Sequence, residues 1–182
     1  MSEVINVVAL VGSLRRESHN KALAQTAQSV APDKMKVTIW PLDDIPVYNN
    51  DVEVEQGFPA AVAAMRDALA AADGIIFATP EYNGSVSGVL KNAIDWASRG
   101  AAINKTCRHH ERLSSGGTRG AKAQEHLRQI CLHLGMYVLS APLIAVPQFH
   151  DTKLPMALWP TKLPSVLSAA NGDIHDWIVK LK

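Results

Sequence analysis

A chain of 182 residues falls within the usual size of one domain and can bury a substantial core without help from disulfides or a structural metal. With 47% hydrophobic and 19% charged residues and a formal net charge of +1, it is neither compositionally disordered nor generally attracted to nucleic acid, so binding must come from a local site. The first ten residues carry no basic leader, and no segment reaches the ~18 apolar residues of a membrane span. Cys107 and Cys131 are the only cysteines. Together these features predict a cytoplasmic protein in a reducing compartment, with no membrane insertion.

Val4 to Val11 is a continuous, valine-rich run, the pattern of a central parallel strand covered on both faces. Ser18 or Asn20 can cap a following helix, whose Ala22, Leu23, Ala27 and Val30 share a side before Pro32 ends it. Lys36 to Trp40 is a second short strand, and Pro41 to Gly57 is turn-rich. Pro59 suits the first position of a helix carrying Val62, Met65, Ala68 and Leu69. A third strand, Gly74 to Thr79, leads through PEYNGSVSG into a helix from about Ser87 to Ser98. Further on come a helix over Ala121 to Leu134, a strand over Tyr137 to Val146 and a terminal helix over Asp173 to Leu181. This alternation predicts one α/β domain over residues 1–182 with a doubly wound parallel sheet, whose ligands bind beyond the carboxyl ends of the strands.

Two loops at those ends are unusually polar. In residues 12–20, GSLRRESHN, Ser13 and Ser18 offer hydroxyls, Asn20 an amide and Arg15 or Arg16 a bidentate donor, beside the free N–H groups of a helix start. That set suits a phosphate monoester. Only Gly12 is present of the glycines that a pyrophosphate loop would need. The bland alternative is a capped helix with two solvated arginines. In residues 80–88, PEYNGSVSG, an aromatic stands beside backbone groups that could meet the edge of a flat heterocycle, although Asn-Gly is also an ordinary turn.

Taken together, G-S-L-R-x-x-S-x-N at 12–20 and P-E-Y-N-x-S-x-x-G-x-L-K-N-A-I-D-W at 80–96 resemble the NADPH-dependent FMN reductase family, particularly its chromate, quinone and azo-dye reductase members. The likeness runs over about residues 4–100 and 115–148. It implies a flavodoxin-like fold with a five-stranded parallel sheet and helices on both faces. It also implies FMN phosphate on Ser13, Arg15, Ser18 and Asn20, and a ribityl chain and isoalloxazine lined by Pro80, Glu81, Tyr82, Asn83 and Ser85. A third loop around Ser115, Gly116 and Gly117 would complete the ring site. The activity implied is transfer of reducing equivalents from NADPH or NADH to small-molecule electron acceptors, with the flavin rather than a side chain carrying the chemistry. Arg99 and Arg119 are candidates for an anionic substrate group, and Tyr48 for covering a neighbouring subunit's flavin. The resemblance implies a homodimer or homotetramer. An electron carrier or FMN-binding regulatory protein without turnover is the alternative, as is a phosphosugar or nucleotide-binding module without flavin.

The chain departs from that pattern at KTCRHHERLSSGG, residues 105–117, where the family places an apolar strand. Burying Arg108, Glu111 and Arg112 unpaired would cost several kcal/mol each, so Thr106 to Arg112 is not expected to form a normal central strand, and a chain that truly carries these residues would lack the fourth strand of the sheet. A metal site from Cys107, His109, His110 and Glu111 is disfavoured, because adjacent residues of a strand face opposite ways. A reading frame displaced by one nucleotide permits Pro-Val-Ala-Ile-Met-Ser-Ala in place of TCRHHER, and a second displacement fits LPMALWPTK at 154–162. Asp95 and Trp96 read as helix packing, and His126 and His133 as a polar stripe.

Overall fold

The computed structural model describes residues 4–101, 103, 110–116, 120–138, 144–147 and 163–181. In chain order these form β1 (Ile5–Val11), α1 (His19–Ser29), β2 (Met35–Trp40), α2 (Asn50–Gln56), α3 (Ala60–Ala71), β3 (Gly74–Ala78), β4 (Glu81–Tyr82), β5 (Ser85–Val86) and α4 (Gly88–Ala97). A 3₁₀ turn (Arg99–Ala101), β6 (His110–Gly116), α5 (Ala121–His133), β7 (Ile144–Pro147) and α6 (Leu163–Leu181) follow. The main sheet has the order β2-β1-β3-β6-β7, and every pairing in it is parallel. β2 lies on one side of β1 and β3 on the other, so the strand order reverses between β1 and β3. Their carboxyl ends are therefore where a crevice opens.

The apolar runs are continuous because both faces of the sheet are covered. Val8 and Leu10 of β1, with Ile75 and Phe77 of β3, pack against Val62, Met65 and Leu69 of α3, Leu90 and Ile94 of α4, and Leu127 of α5. The alternate residues Ile5, Val7, Ala9 and Val11, with Ile76 and Ala78, meet Leu23 and Ala24 of α1 and Ile174 and Ile178 of α6. The two-residue period of a strand sorts one sequence into two cores. Each fully buried large aliphatic side chain contributes about 1.5–3 kcal/mol.

Several expectations need correction. The fourth strand is present: Ile75 pairs with His110, Ile76 with Glu111 and Phe77 with Arg112. Ladder hydrogen bonds come from the backbone, so a charged sequence between two strands can still pair. The turn-rich stretch holds α2, capped by the Asn49 side chain accepting from the Asp51 N–H. Of the strand expected over Tyr137 to Val146, Tyr137 and Val138 are not in a strand, residues 139–143 lie outside the described residues, and Ile144 to Val146 fall in β7. α6 begins at Leu163 rather than Asp173. Asn171-Gly172 reads locally as a breaker, but Asn171 is buried and donates to the Ala27 carbonyl of α1 at 2.8 Å. Residues 104–109 and 148–162, including Cys107, His109 and the second departure, lie outside the described residues. Among the described residues no helix is long and apolar enough to cross a membrane.

Candidate functional site

β1 ends at Val11, and the N–H of Gly12 donates to the Ala78 carbonyl at the end of β3, 2.8 Å away. A Cβ on Gly12 would stand 2.6 Å from Ser87 Oγ and 2.9 Å from Leu90 Cβ. Close approach, not turn geometry, demands glycine there. Ser18 caps α1 by accepting from the Lys21 N–H at 3.3 Å. Ser18 and Asn20 are buried, Ser13 is half-buried, and Arg15 and Arg16 are exposed. The Arg15 guanidinium donates to the Glu17 carbonyl at 2.6 Å. With no acidic residue in its first turn, α1 presents its positive end to this loop, which makes the loop receptive to an anion.

The second loop is a β-hairpin rather than irregular chain. β4 and β5 pair antiparallel, Glu81 with Val86 and Tyr82 with Ser85. Asn83 and Gly84 turn between them with φ of 52° and 72°, the two positive values that a tight hairpin requires. Tyr82 is 54% exposed. Glu81 Oε2 accepts from the N–H groups of Lys122 and Ala123 at 3.1 and 3.2 Å, so its carboxylate caps α5. Ser85 Oγ lies 3.0 Å from His126 Nδ1 on the same helix. Pro80 is buried, following Thr79, whose hydroxyl donates to the Pro80 carbonyl and accepts from the Ser87 N–H.

Ser87 joins the two loops. Its hydroxyl donates to the Gly12 carbonyl at 2.6 Å and accepts from the Leu90 N–H at 3.2 Å, capping α4. Ser115 and Gly116 stand at the carboxyl end of β6, in register with Val146 and Pro147, at the same end of the sheet. The structure thus places Ser13, Arg15, Ser18, Asn20, Pro80 to Asn83, Ser85, Ser115 and Gly116 in or beside the segments that follow β1, β3 and β6, at the carboxyl end of the parallel sheet; Gly117 and Arg119 lie outside the described residues. Sequence reading placed Ser87 only at a helix start, and gave His126 and the Lys122 amide no place in the site. Ser-Gly-Val-Leu is a legible cap signal. No local pattern shows that His126 reaches Ser85.

Tyr48 and Arg99 form a separate cluster. The Arg99 guanidinium carbon lies 5.3 Å from the centre of the Tyr48 ring, which meets Trp96 edge-on at 4.8 Å. Trp96 is fully buried and donates to the Pro46 carbonyl at 2.8 Å, and Asp95 pairs with Lys91 on α4. Arg99 follows the end of α4 whose other end carries Ser87, roughly 15 Å away along the helix. The Tyr48 hydroxyl donates to Glu53 Oε2 at 2.9 Å. That bond to a carboxylate, then burial, then the Glu53 charge push the phenol pKa up, and Arg99 opposes them.

The family model for NADPH-dependent FMN reductases matches residues 5–151. A quinone reductase of Escherichia coli is 45% identical over 145 residues, covering 78% of this chain and 77% of its own length. An NAD(P)H-dependent FMN reductase of Pseudomonas aeruginosa is 43% identical over 148 residues and 80% of each chain. Among solved structures, the flavoenzyme NAD(P)H:(acceptor) oxidoreductase FerB from Paracoccus denitrificans superposes with a TM-score of 0.84 at 30% identity, covering 97% of this chain and 98% of its own. The α/β fold is therefore flavodoxin-like, and the chain belongs to the NADPH-dependent FMN reductase family of oxidoreductases.

Proposed function

We propose that this chain is an FMN-dependent NAD(P)H oxidoreductase that reduces quinones and, at the same exposed site, chromate, ferric complexes or azo compounds. The observation that carries the reading is the Ser87–Gly12 hydrogen bond, which locks an anion-receptive helix start beside a hairpin bearing an exposed tyrosine. The residues present fit FMN. Ser13, Arg15, Ser18 and Asn20 supply donors for its phosphate at the positive end of α1. Tyr82 and the 81–86 hairpin would supply a flat face and backbone edge for its ring, and the family resemblance assigns the N–H groups at Gly116 and Gly117 to stabilising negative charge on the reduced ring. When bound, FMN supplies a hydride-accepting N5 centre for a ping-pong exchange between NADPH or NADH and the acceptor.

The protein's own task is positioning. Glu81 and Ser85 fasten the hairpin to α5, so the ring platform is held by a helix rather than by loop stiffness. We read the five-strand order as one doubly wound flavodoxin-like domain over residues 1–182. It acts in the cytoplasm as a homodimer or homotetramer, in which Tyr48 of one copy covers the flavin of another and Arg99 beside it meets an anionic substrate group. Their distance from the hairpin along α4 supports that division.

Visible absorbance tests the reading. Purified protein binds added FMN stoichiometrically, its flavin bands bleach with NADPH under anaerobic conditions, and NADPH is consumed when a quinone is present. A protein that takes up no FMN overturns the flavin reading. One that binds FMN without quinone-dependent turnover is a carrier or regulator instead.

A further inference from the structure

We propose that His126 is a positioning residue for the flavin: its Nδ1 sets the direction in which the Ser85 hydroxyl points its one proton, and so decides whether Ser85 donates to the bound ring. The inference rests on the FMN reading above and gives a task to a residue that lies on a helix, outside all three loops of the site.

Ser85 Oγ lies 3.0 Å from His126 Nδ1. Ser85 is directly opposite Tyr82 in the pairing of β4 with β5, and residues so opposed present their side chains on one face. The hydroxyl that meets His126 therefore stands beside the exposed Tyr82 ring. The hairpin does not depend on this bond to stay in place. Glu81 already holds it to the first turn of α5 through two N–H groups. The Lys122 side chain also closes on its turn, where a Cβ on Gly84 would stand 3.3 Å from Lys122 Cδ. A further tie between an exposed histidine and a half-buried serine adds only about 0.5–1.5 kcal/mol of anchoring. What it controls is the direction of a proton.

A serine hydroxyl has one proton and two lone pairs. A neutral imidazole with its proton on Nε2 accepts at Nδ1 and takes the Ser85 proton, which leaves only lone pairs to face the ligand. A charged imidazole carries N–H groups on both nitrogens and must donate at Nδ1, which turns the Ser85 proton toward the ligand. The polar atoms of an oxidised isoalloxazine are acceptors but for one N–H, so a donating Ser85 strengthens its binding. The charged and titratable residues flanking this pair among the described residues are Glu81 and Tyr82 on the hairpin and Lys122, Glu125 and Arg128 on α5. Of these, the Glu81 carboxylate is engaged by the α5 amides. β6, which also packs on α5, carries His110, Glu111 and Arg112 in its first half, away from the carboxyl end of the sheet.

The test measures FMN affinity by fluorescence titration at about pH 5 and about pH 8, the two ends of the interval in which histidine side chains ordinarily change charge. The FMN phosphate titrates in the same interval, but alike in every variant, so it cancels in each comparison with wild type. On going to the lower pH, wild-type protein gains roughly two-fold to ten-fold more affinity than Ser85→Ala. His126→Phe loses that extra gain, and adding it to Ser85→Ala changes nothing further, because one residue acts through the other. His126→Asn keeps a polar partner for Ser85 but cannot take a charge, so it retains the affinity of wild type at the higher pH and lacks the gain. A gain that persists in Ser85→Ala assigns the effect to the His126 charge acting through space, and one that persists in His126→Phe or His126→Asn assigns it to another group. Either result overturns the proposal, as do additive losses in the double variant. Equal FMN binding by all the variants at both pH values overturns this role alone, whereas a wild-type protein that takes up no FMN overturns the flavin reading and this role with it.

Discussion

Ser87 Oγ donates to the Gly12 carbonyl at 2.6 Å while accepting from the Leu90 N–H. One buried hydroxyl thus caps a helix and ties the loop after β1 to the loop after β3. Ser87→Ala removes both bonds and leaves the Gly12 carbonyl facing an apolar wall, which costs about 1–3 kcal/mol. The expected outcome is a lower urea midpoint and weaker FMN binding, read by denaturation and by flavin fluorescence titration. Gly12→Ala acts on the same junction from the other side, since its Cβ would meet Ser87 Oγ at 2.6 Å. A Ser87→Ala protein with unchanged FMN affinity removes the tie from any role in the site.

Glu81 sets the ring hairpin on α5 by accepting two N–H groups of the helix's first turn. Glu81→Ala leaves those donors without the carboxylate and costs about 0.5–2 kcal/mol, whereas Glu81→Gln keeps an acceptor and loses less. Flavin affinity should fall in the same order. An alanine variant with full stability and weakened flavin would instead place the Glu81 carboxylate on the ligand.

How far the sequence is legible follows from whether an interaction is local. The runs Val4–Val11 and Gly74–Thr79, the cap at Ser18 and the Asn-Gly turn are visible because each is set by a few adjacent residues. Resemblance supplied the grouping of the loops into one site, and the switch of strand order between β1 and β3 supplies its physical cause. The contacts of His126 with Ser85 and of Glu81 with α5 join residues 41 or more positions apart, so no periodicity announces them. The full length of α6 is illegible for the same reason, because a tertiary hydrogen bond at Asn171 outweighs a local breaker signal.

The Tyr48 phenol gives a pH prediction. Its pKa lies above its ordinary 10.0, chiefly through its hydrogen bond to Glu53. Below the ordinary value both the folded and unfolded chains keep the proton. Between it and the raised folded value only the folded chain keeps the proton, so this contribution to stability is lost as pH rises through that window. Phenolate absorbance, taken as the difference between wild type and Tyr48→Phe, should titrate above the ordinary tyrosine range, and Glu53→Gln should bring it down. An unshifted difference titration would mean that the Tyr48–Glu53 bond does not persist in solution.

β6 lies between β3 and β7 and carries His110, Glu111 and Arg112 in succession. Backbone pairing accounts for the strand, but it does not make a charged triplet a good occupant of a central position. A displaced reading frame over residues 106–112 predicts that protein expressed from its natural gene contains Pro-Val-Ala-Ile-Met-Ser-Ala there. Intact mass and peptide mapping check this directly. A mass equal to that of the 19.7 kDa chain as given removes the displacement at both places.

Asn171 and Gly172 are neighbours on α6 whose substitutions should act in opposite directions. The Asn171 amide is buried and donates to the Ala27 carbonyl, joining α6 to α1 beneath the sheet. Asn171→Ala loses that bond and leaves a buried carbonyl with one partner fewer, for a cost of about 1–3 kcal/mol. Gly172 lies inside the same helix, and a Cβ there meets no atom within 4 Å. Gly172→Ala should therefore stabilise the protein by about 0.4–1 kcal/mol, through helix preference and a less flexible unfolded chain. Thermal and urea denaturation separate the two: the midpoint falls for Asn171→Ala and rises for Gly172→Ala. A fall for Gly172→Ala would mean that residues 171–172 break the helix in solution, and that the terminal helix starts near Asp173 as the local signal suggests.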